Sequence, residues 1–325
     1  MTTHVLHSAA GLSIGADRHV PGLALSPSCG PADVTFLLEA APPWRSQETI
    51  PHYIAPYAAA GGRPAVSVHR GPGGFHFEYA DGTNVWIESE ARRVWCTWPS
   101  AATLEDTATY LTGPILGFVL RLRGMLALHA SAVQIAKRAL ILVGPHGAGK
   151  SSTAAGLAMQ GCPVVADDVV HVRRTGRGWL AEPFGTTLRL WPDGARVVFG
   201  RETALPRITP TWDKRALPTG CGNTPAVMEA VRVGGIAFLE PRESSAAPAL
   251  APVSAAEAVV RLATHGSASH LLDHEARQRE FTVLAQLVRD VPCTRAIPVE
   301  DEQRFGAFVG LVHGWGRRSG AVPGR

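Results

Sequence analysis

The chain has 325 residues, 46% of them apolar and 18% charged, which fits a globular protein and excludes a disordered one. A formal charge of +4 over that length is too weak to argue for a nucleic-acid partner, and the length allows one large domain or two ordinary ones. Five scattered cysteines without a C-x-x-C pair argue against a disulfide framework or a zinc site. The N-terminal MTTHVLHSAAG lacks the layout of a signal peptide, and the longest apolar run, residues 113–120, is cut by Arg121 and Arg123. The expectation is a cytoplasmic protein with no membrane partner.

Residues 1–103 read as a β-rich N-terminal domain. A strand is predicted at 32–38, a Pro- and Gly-punctuated loop at 42–64, and alternating runs at 65–69, 75–79 and 84–88, with a further strand at 94–98. Asp81-Gly82 is a hairpin-type turn. The pattern suggests a small antiparallel sheet with a structural or partner-contacting role. Residues 104–325 form the second unit. It opens with a helix at 104–122, where Leu111, Ile115, Phe118 and Val119 recur at helical spacing and Gly113-Pro114 is placed to kink or split it. A strand-like run follows at 123–133.

The short apolar run 139–143 then leads into Gly144-Pro145-His146-Gly147-Ala148-Gly149-Lys150-Ser151, the complete G-x-x-x-x-G-K-[ST] pattern of a phosphate loop. Glycines let the backbone turn its N–H groups inward around phosphate oxygens. Lys150 can reach the β- and γ-phosphates, the Ser151 hydroxyl can ligate Mg²⁺, and a helix from Ser152 to about residue 160 would point its positive end at the phosphates. The flanking strand and helix are the context this pattern requires, so Gly144 to Ser152 is the predicted nucleotide-binding segment. Only three lysines occur (Lys137, Lys150, Lys214) among 31 basic residues, and one occupies the loop's lysine position.

Beyond the loop helix, Asp167 and Asp168 interrupt an apolar strand at 163–172. Buried charge without partners is costly, so such a pair needs a metal, a cation or a helix N-terminus, and adjacent strand residues face opposite ways unless the strand ends there. Arg173, Arg174 and Arg177 sit in a predicted turn, either contacting an acidic substrate or simply solvated. An extended stretch at 181–191 carries Arg189. Residues 195–224 read as a mobile flap, 231–239 as a buried strand and 244–252 as a linker. Helices are expected at 254–264 (with Ser254 and Glu257 as a capping box), 273–289 and 300–315, with a last strand at 293–299.

Three motifs in order, LHASAV at 128–133, GPHGAGKSS at 144–152 and VADDV at 165–169, carry a resemblance to the kinase domain of the HPr kinase/phosphorylase family. LRLWPD at 188–193, GGIAFLEPR at 234–242 and GPILGFVLRLRG at 113–124 bring the chain nearer in look to the HPr-kinase-like serine kinases of lasso-peptide gene clusters. The resemblance implies an α/β P-loop kinase core of the type shared with phosphoenolpyruvate carboxykinase, preceded by the β-rich domain. It implies ATP and Mg²⁺ as cofactors, Asp167 as the catalytic base, Asp168 with Ser151 at the metal, and His129 as an active-site histidine. A lone histidine in an apolar strand would otherwise read as a core residue. Arg189 is a loose stand-in for the family's signature arginine. His146 stands where the family has serine, and the Glu-Ile-Arg-Gly-type signature of the true HPr enzymes is absent. The implied substrate is a peptide or protein, at its finest the C-terminal serine of a lasso precursor peptide. A small-molecule kinase and a nucleotide-dependent regulator without transfer activity are the other readings. The oligomeric state is open, a homo-oligomer included.

Overall fold

Alternating burial along the first hundred residues builds a nine-stranded sheet. Its strands are β1 (Val5–Ala9), β2 (Leu12–Ala16), β3 (Ala24–Leu25), β4 (Val34–Leu38), β5 (Ile50–Ile54), β6 (Val66–Gly71), β7 (Gly74–Tyr79), β8 (Asn84–Glu88) and β9 (Arg93–Thr97), ordered β3-β1-β2-β4-β9-β8-β7-β6-β5. The computed structural model describes residues 4–27, 30–59, 61–185, 187–200, 205–220, 227–241, 247–298 and 302–319. The run β5 to β9 is the antiparallel meander the alternation predicts, with Phe75, Phe77 and Tyr79 turned inward on β7. Two features differ from expectation. The pairs β2–β4 and β4–β9 are parallel, and β5 lies within the stretch read as loop. Pro51 disguises β5, and it is tolerated because β5 is the sheet's outer strand.

The predicted helix is split where Gly113-Pro114 falls. It comprises α1 (Leu104–Tyr110), a π-helical segment (Leu111–Ile115) and α2 (Leu116–Leu122). Thr103 and Asp106 close a reciprocal capping box at its start. Pro114 cannot donate to the i−4 carbonyl, and the ladder widens around it. This helix packs against the first sheet, with the Phe118 ring edge-on to Phe75 at 4.9 Å and the Tyr110 ring stacked on Tyr79 at 3.9 Å. One cluster of buried residues runs from Ile14, Phe36 and Val94 through Leu111 and Leu120 to Ile141 and Phe238. The expected division at residues 103 and 104 therefore coincides with a helix cap, while the core continues across it.

The second sheet joins β10 (Leu126–Leu128), β11 (Ala130–Ile135), β12 (Arg138–Val143), β13 (Val164–Ala166), β14 (Val170–Thr175) and β15 (Gly178–Ala181) to three later strands. Before those come a separate pair, β16 (Thr187–Leu190) and β17 (Arg215–Pro218). The later strands are β18 (Val231–Leu239), β19 (Ala249–Ala251) and β20 (Cys293–Ile297). At the centre β12, β18 and β20 are parallel. The remaining helices are α3 (Lys150–Met159), α4 (Pro192–Phe199), α5 (Ala255–Thr264), α6 (His274–Asp290) and α7 (Phe305–Ser319). Strand β12 is buried on both faces: Ala139, Ile141 and Val143 enter the large cluster, whereas Leu140 and Leu142 enter a second one with Leu157 of α3 and Phe308 and Val312 of α7. Among the segments read as irregular, 195–224 contains most of α4 and β17, and 244–252 contains β19; residues 201–204, 221–226, 242–246 and 299–301 lie outside the described residues.

Candidate active site

Strand β12 delivers the phosphate loop at its carboxyl end, where open α/β sheets bind ligands. Gly149 is the N-cap of α3 at φ 90°, a left-handed conformation that glycine takes without cost. No side chain caps the helix there, so its first amides remain available to an anion. Lys150 is 8% exposed, and its Nζ donates to the carbonyls of Gly144 at 2.9 Å and Pro145 at 3.1 Å. Burial lowers its pKa, against the opposing charges of Asp168 and Asp167. His146 is lowered too, first by burial and then by Lys214, His129 and Lys150, against the charge of Asp168.

The doubled acid sits where a strand stops. β13 ends at Ala166 and β14 begins at Val170, which releases Asp167 and Asp168 from strand alternation. Asp168 is left-handed at φ 71°, a conformation that costs a non-glycine residue about 1 kcal/mol or more. Asp167 is 7% exposed, and its Oδ1 accepts from Ser131 Oγ at 2.6 Å and Ser151 Oγ at 2.9 Å, while Oδ2 accepts from the Arg189 backbone N–H at 3.1 Å. Asp168 Oδ1 lies 3.2 Å from His129 Nδ1, and Oδ2 lies 3.7 Å from Arg189 Nη1. Burial pushes the Asp168 carboxyl up, but the His129 hydrogen bond and the charges of His129, Arg189 and Lys214 outweigh it and hold it well below the usual carboxylate range.

The resemblance sets Asp168 beside the loop serine, and the structure brings the other acid there. Asp167, not Asp168, shares a hydrogen bond with the loop serine, and Asp168 stands beside it against His129. The reason is the strand break. His129 likewise occupies a gap between β10 and β11, where its N–H donates to the His265 carbonyl at 2.9 Å, so it is not a mid-strand core residue.

One cavity of about 340 Å³ gathers these groups. Of the predicted residues it is lined by His129, His146, Gly147, Gly149, Lys150, Ser151, Ser152, Asp167, Asp168 and Arg189, and Gly144, Pro145 and Ala148 of the loop do not line it. Ser131, Trp191, Asp193, Gly194 and Lys214 complete its lining and were not foreseen as site residues. Ser131, Trp191 and Asp193 lie within the LHASAV and LRLWPD motifs, and the signal for Lys214 is the scarcity of lysine, since two of the three lysines meet here. Arg189 is braced from α1–α2 by Thr112 Oγ1, to which its Nη2 donates. Arg173, Arg174 and Arg177 are not brought to the cavity. They belong to the β14–β15 hairpin, where Arg173 pairs with Glu182, Arg174 reaches Asp290 at 3.7 Å and Gln286 at 3.1 Å, and Arg177 is exposed in the turn, which fits the solvated reading of the run.

The donor set suits a hard divalent cation. Ser151 Oγ and Asp167 Oδ1 are adjacent oxygens at the start of α3, and magnesium is bound by one or two such ligands plus substrate phosphates. Among the described residues no group of three or more His, Cys, Asp or Glu side chains forms a dedicated metal cage, and no helix is long and apolar enough to cross a membrane. No family model matches this chain, and no curated protein matches it.

Proposed function

We propose that this protein is an ATP- and Mg²⁺-dependent phosphotransferase of the HPr-kinase-like type, acting on a serine hydroxyl of a peptide. The observation that carries the reading is the hydrogen bond from the loop's Ser151 to Asp167, with Asp168 next to it in the same cavity. This is the arrangement in which a phosphate-loop hydroxyl and an acid after a second strand share a metal. Ser151 and Asp167 would hold the magnesium ion. Bound there, the ion neutralises charge on the β- and γ-phosphate oxygens. Lys150 exchanges its contacts with the Gly144 and Pro145 carbonyls for phosphate oxygens, and the α3 amides take the remaining ones.

Transfer forms a bond from the acceptor oxygen to the γ-phosphorus and breaks the bond from that phosphorus to the β–γ bridging oxygen, releasing ADP. The acceptor proton goes to Asp168, whose orientation is fixed by His129 and Arg189. Because His129 and Arg189 hold this carboxylate below the usual range, its larger contribution is orienting the acceptor hydroxyl rather than basicity. The finest form of the substrate, the C-terminal serine of a lasso precursor peptide, rests on the motif resemblance. The test is incubation with ATP, Mg²⁺ and serine-containing peptides, read by mass spectrometry. A gain of ~80 Da on a serine, about one phosphoryl group, is the expected result. Phosphorylation of free small molecules with peptides untouched would instead make it a small-molecule kinase.

A further inference from the structure

The cavity that holds the phosphate loop is also lined by Lys214, a residue no motif singles out. Its placement is rigidly specified. β17 pairs with β16 so that Leu190 faces Arg215, which brings Lys214 against Trp191 at the end of β16. Asp213 binds Arg207 and Arg215, each at 3.1 Å, and the Ile208 N–H donates to the Lys214 carbonyl at 3.0 Å. Thr211 Oγ1 donates to Asp106, and the Trp212 ring lies edge-on to Tyr110 at 5.8 Å, tying the segment to α1. Of the segment expected to be a mobile flap, residues 205–214 are irregular but carry these contacts, and 215–218 form strand β17.

The ammonium at its tip lies 5.2 Å from the Trp191 ring centroid, a cation–π contact of modest strength, and among the described residues no carboxylate pairs with it. In a chain that otherwise uses arginine almost throughout, a lysine here offers a compact point charge suited to a phosphoryl oxygen. Its charge acts on the loop (His146 and Lys150) and also on Asp168. The space between the loop and Asp168 is where, on the kinase reading, the transferring group lies.

We propose that Lys214 is a second phosphoryl-binding cation, which leaves the face of Trp191 to contact the γ-phosphoryl group opposite Lys150. The proposal rests on the kinase reading but adds a residue and a stage to it. Lys214 stabilises the charge spread over the transferring oxygens and makes no contact with the α- or β-phosphates. The full chain is the test object, with Lys214→Met and Lys214→Arg compared with wild type. Lys214→Met is expected to lower kcat about 100-fold, the usual loss for one preorganised donor to the reacting oxygens. It is expected to weaken binding of a non-hydrolysable ATP analogue while leaving ADP affinity within about twofold, and Lys214→Arg is expected to restore part of both. An unchanged melting temperature shows that the ladder is intact. Transfer within threefold of wild type in Lys214→Met, or an equal loss of ADP and ATP-analogue affinity, would overturn the proposal and leave the kinase reading standing. If wild type binds neither nucleotide, the kinase reading fails first and the proposal falls with it.

Discussion

At the scale of single residues the site depends on how Asp168 is held. Its left-handed backbone turns the carboxylate away from Asp167 and onto His129 and Arg189. Those partners keep it ionised far into acid, and removing one of them has a direction that follows from charge alone. In His129→Gln the Asp168 carboxyl should titrate closer to the ordinary value of about 3.9, read by carbon NMR of the labelled carboxyl. A titration unmoved by the substitution would mean that His129 does not stabilise the carboxylate. The motif residues were legible at this scale because a phosphate loop is local: Gly144 to Ser152 carries its own turn chemistry. The pairing of His129 with Asp168 and of Thr112 with Arg189 was not legible, since each joins residues far apart in the chain. For Arg173, Arg174 and Arg177 the sequence left a substrate contact and a solvated turn open; the contacts of Arg174 with Gln286 and Asp290 become visible only once the hairpin packs on α6.

At the scale of elements, the split helix meets the site directly. Gly113 lies in the π-helical segment with its backbone so near the acid that an added Cβ would sit 3.0 Å from Asp168 Oδ2 and 4.0 Å from Arg189 Nη1. Gly113-Pro114 is therefore the helix break, which the sequence foretold, and Gly113 also packs behind Asp168 and Arg189, which it did not foretell. Gly113→Ala should displace the carboxylate by a few tenths of an ångström or more. Misplacement approaching 1 Å costs on the order of 10²-fold in rate. Leu116→Ala in the next turn, where the side chain is fully buried, should behave oppositely. It should lose roughly 2–5 kcal/mol of stability while the folded protein keeps the wild-type transfer rate. Paired measurements of transfer rate and denaturant midpoint distinguish the two. A Gly113→Ala protein with the wild-type transfer rate would contradict the role given to this close approach. The strand break at Asp167-Asp168 belongs to this scale as well: reading 163–172 as one strand predicted opposed side chains, and the interruption lets neighbouring acids share one cavity.

At the scale of the whole molecule, the two sheets share a core, and charge buried within it should show in the stability. Arg121 of α2 and Glu280 of α6 form an ion pair with side chains 4% and 7% exposed. Arg121→Met alone strands the carboxylate and should cost roughly 3–5 kcal/mol, whereas pairing it with Glu280→Leu should recover most of the loss. Equal destabilisation in the single and double variants would contradict this. Burial lowers the pKa of His7, His76, His146, His171, His265 and His270, with His265 brought to about 4. A histidine lowered in the fold binds its proton more readily when unfolded. Its contribution is thus fully present above about pH 6.5 and is lost as pH falls through the folded value. Urea titrations should show stability declining from about pH 6.5 downward; a plateau extending to pH 4.5 would contradict the assignment. The account as a whole turns on one cavity with two acids in different offices. Its most direct measurement is calorimetric titration of ATP, with and without Mg²⁺, into wild type, Asp167→Asn and Asp168→Asn, followed by a transfer assay on each. Wild type should bind ATP in a Mg²⁺-dependent way, Asp167→Asn should lose that dependence, and Asp168→Asn should keep it while transferring nothing. Equal ATP affinities in both variants with residual transfer, or no Mg²⁺-dependent binding in wild type, would contradict it.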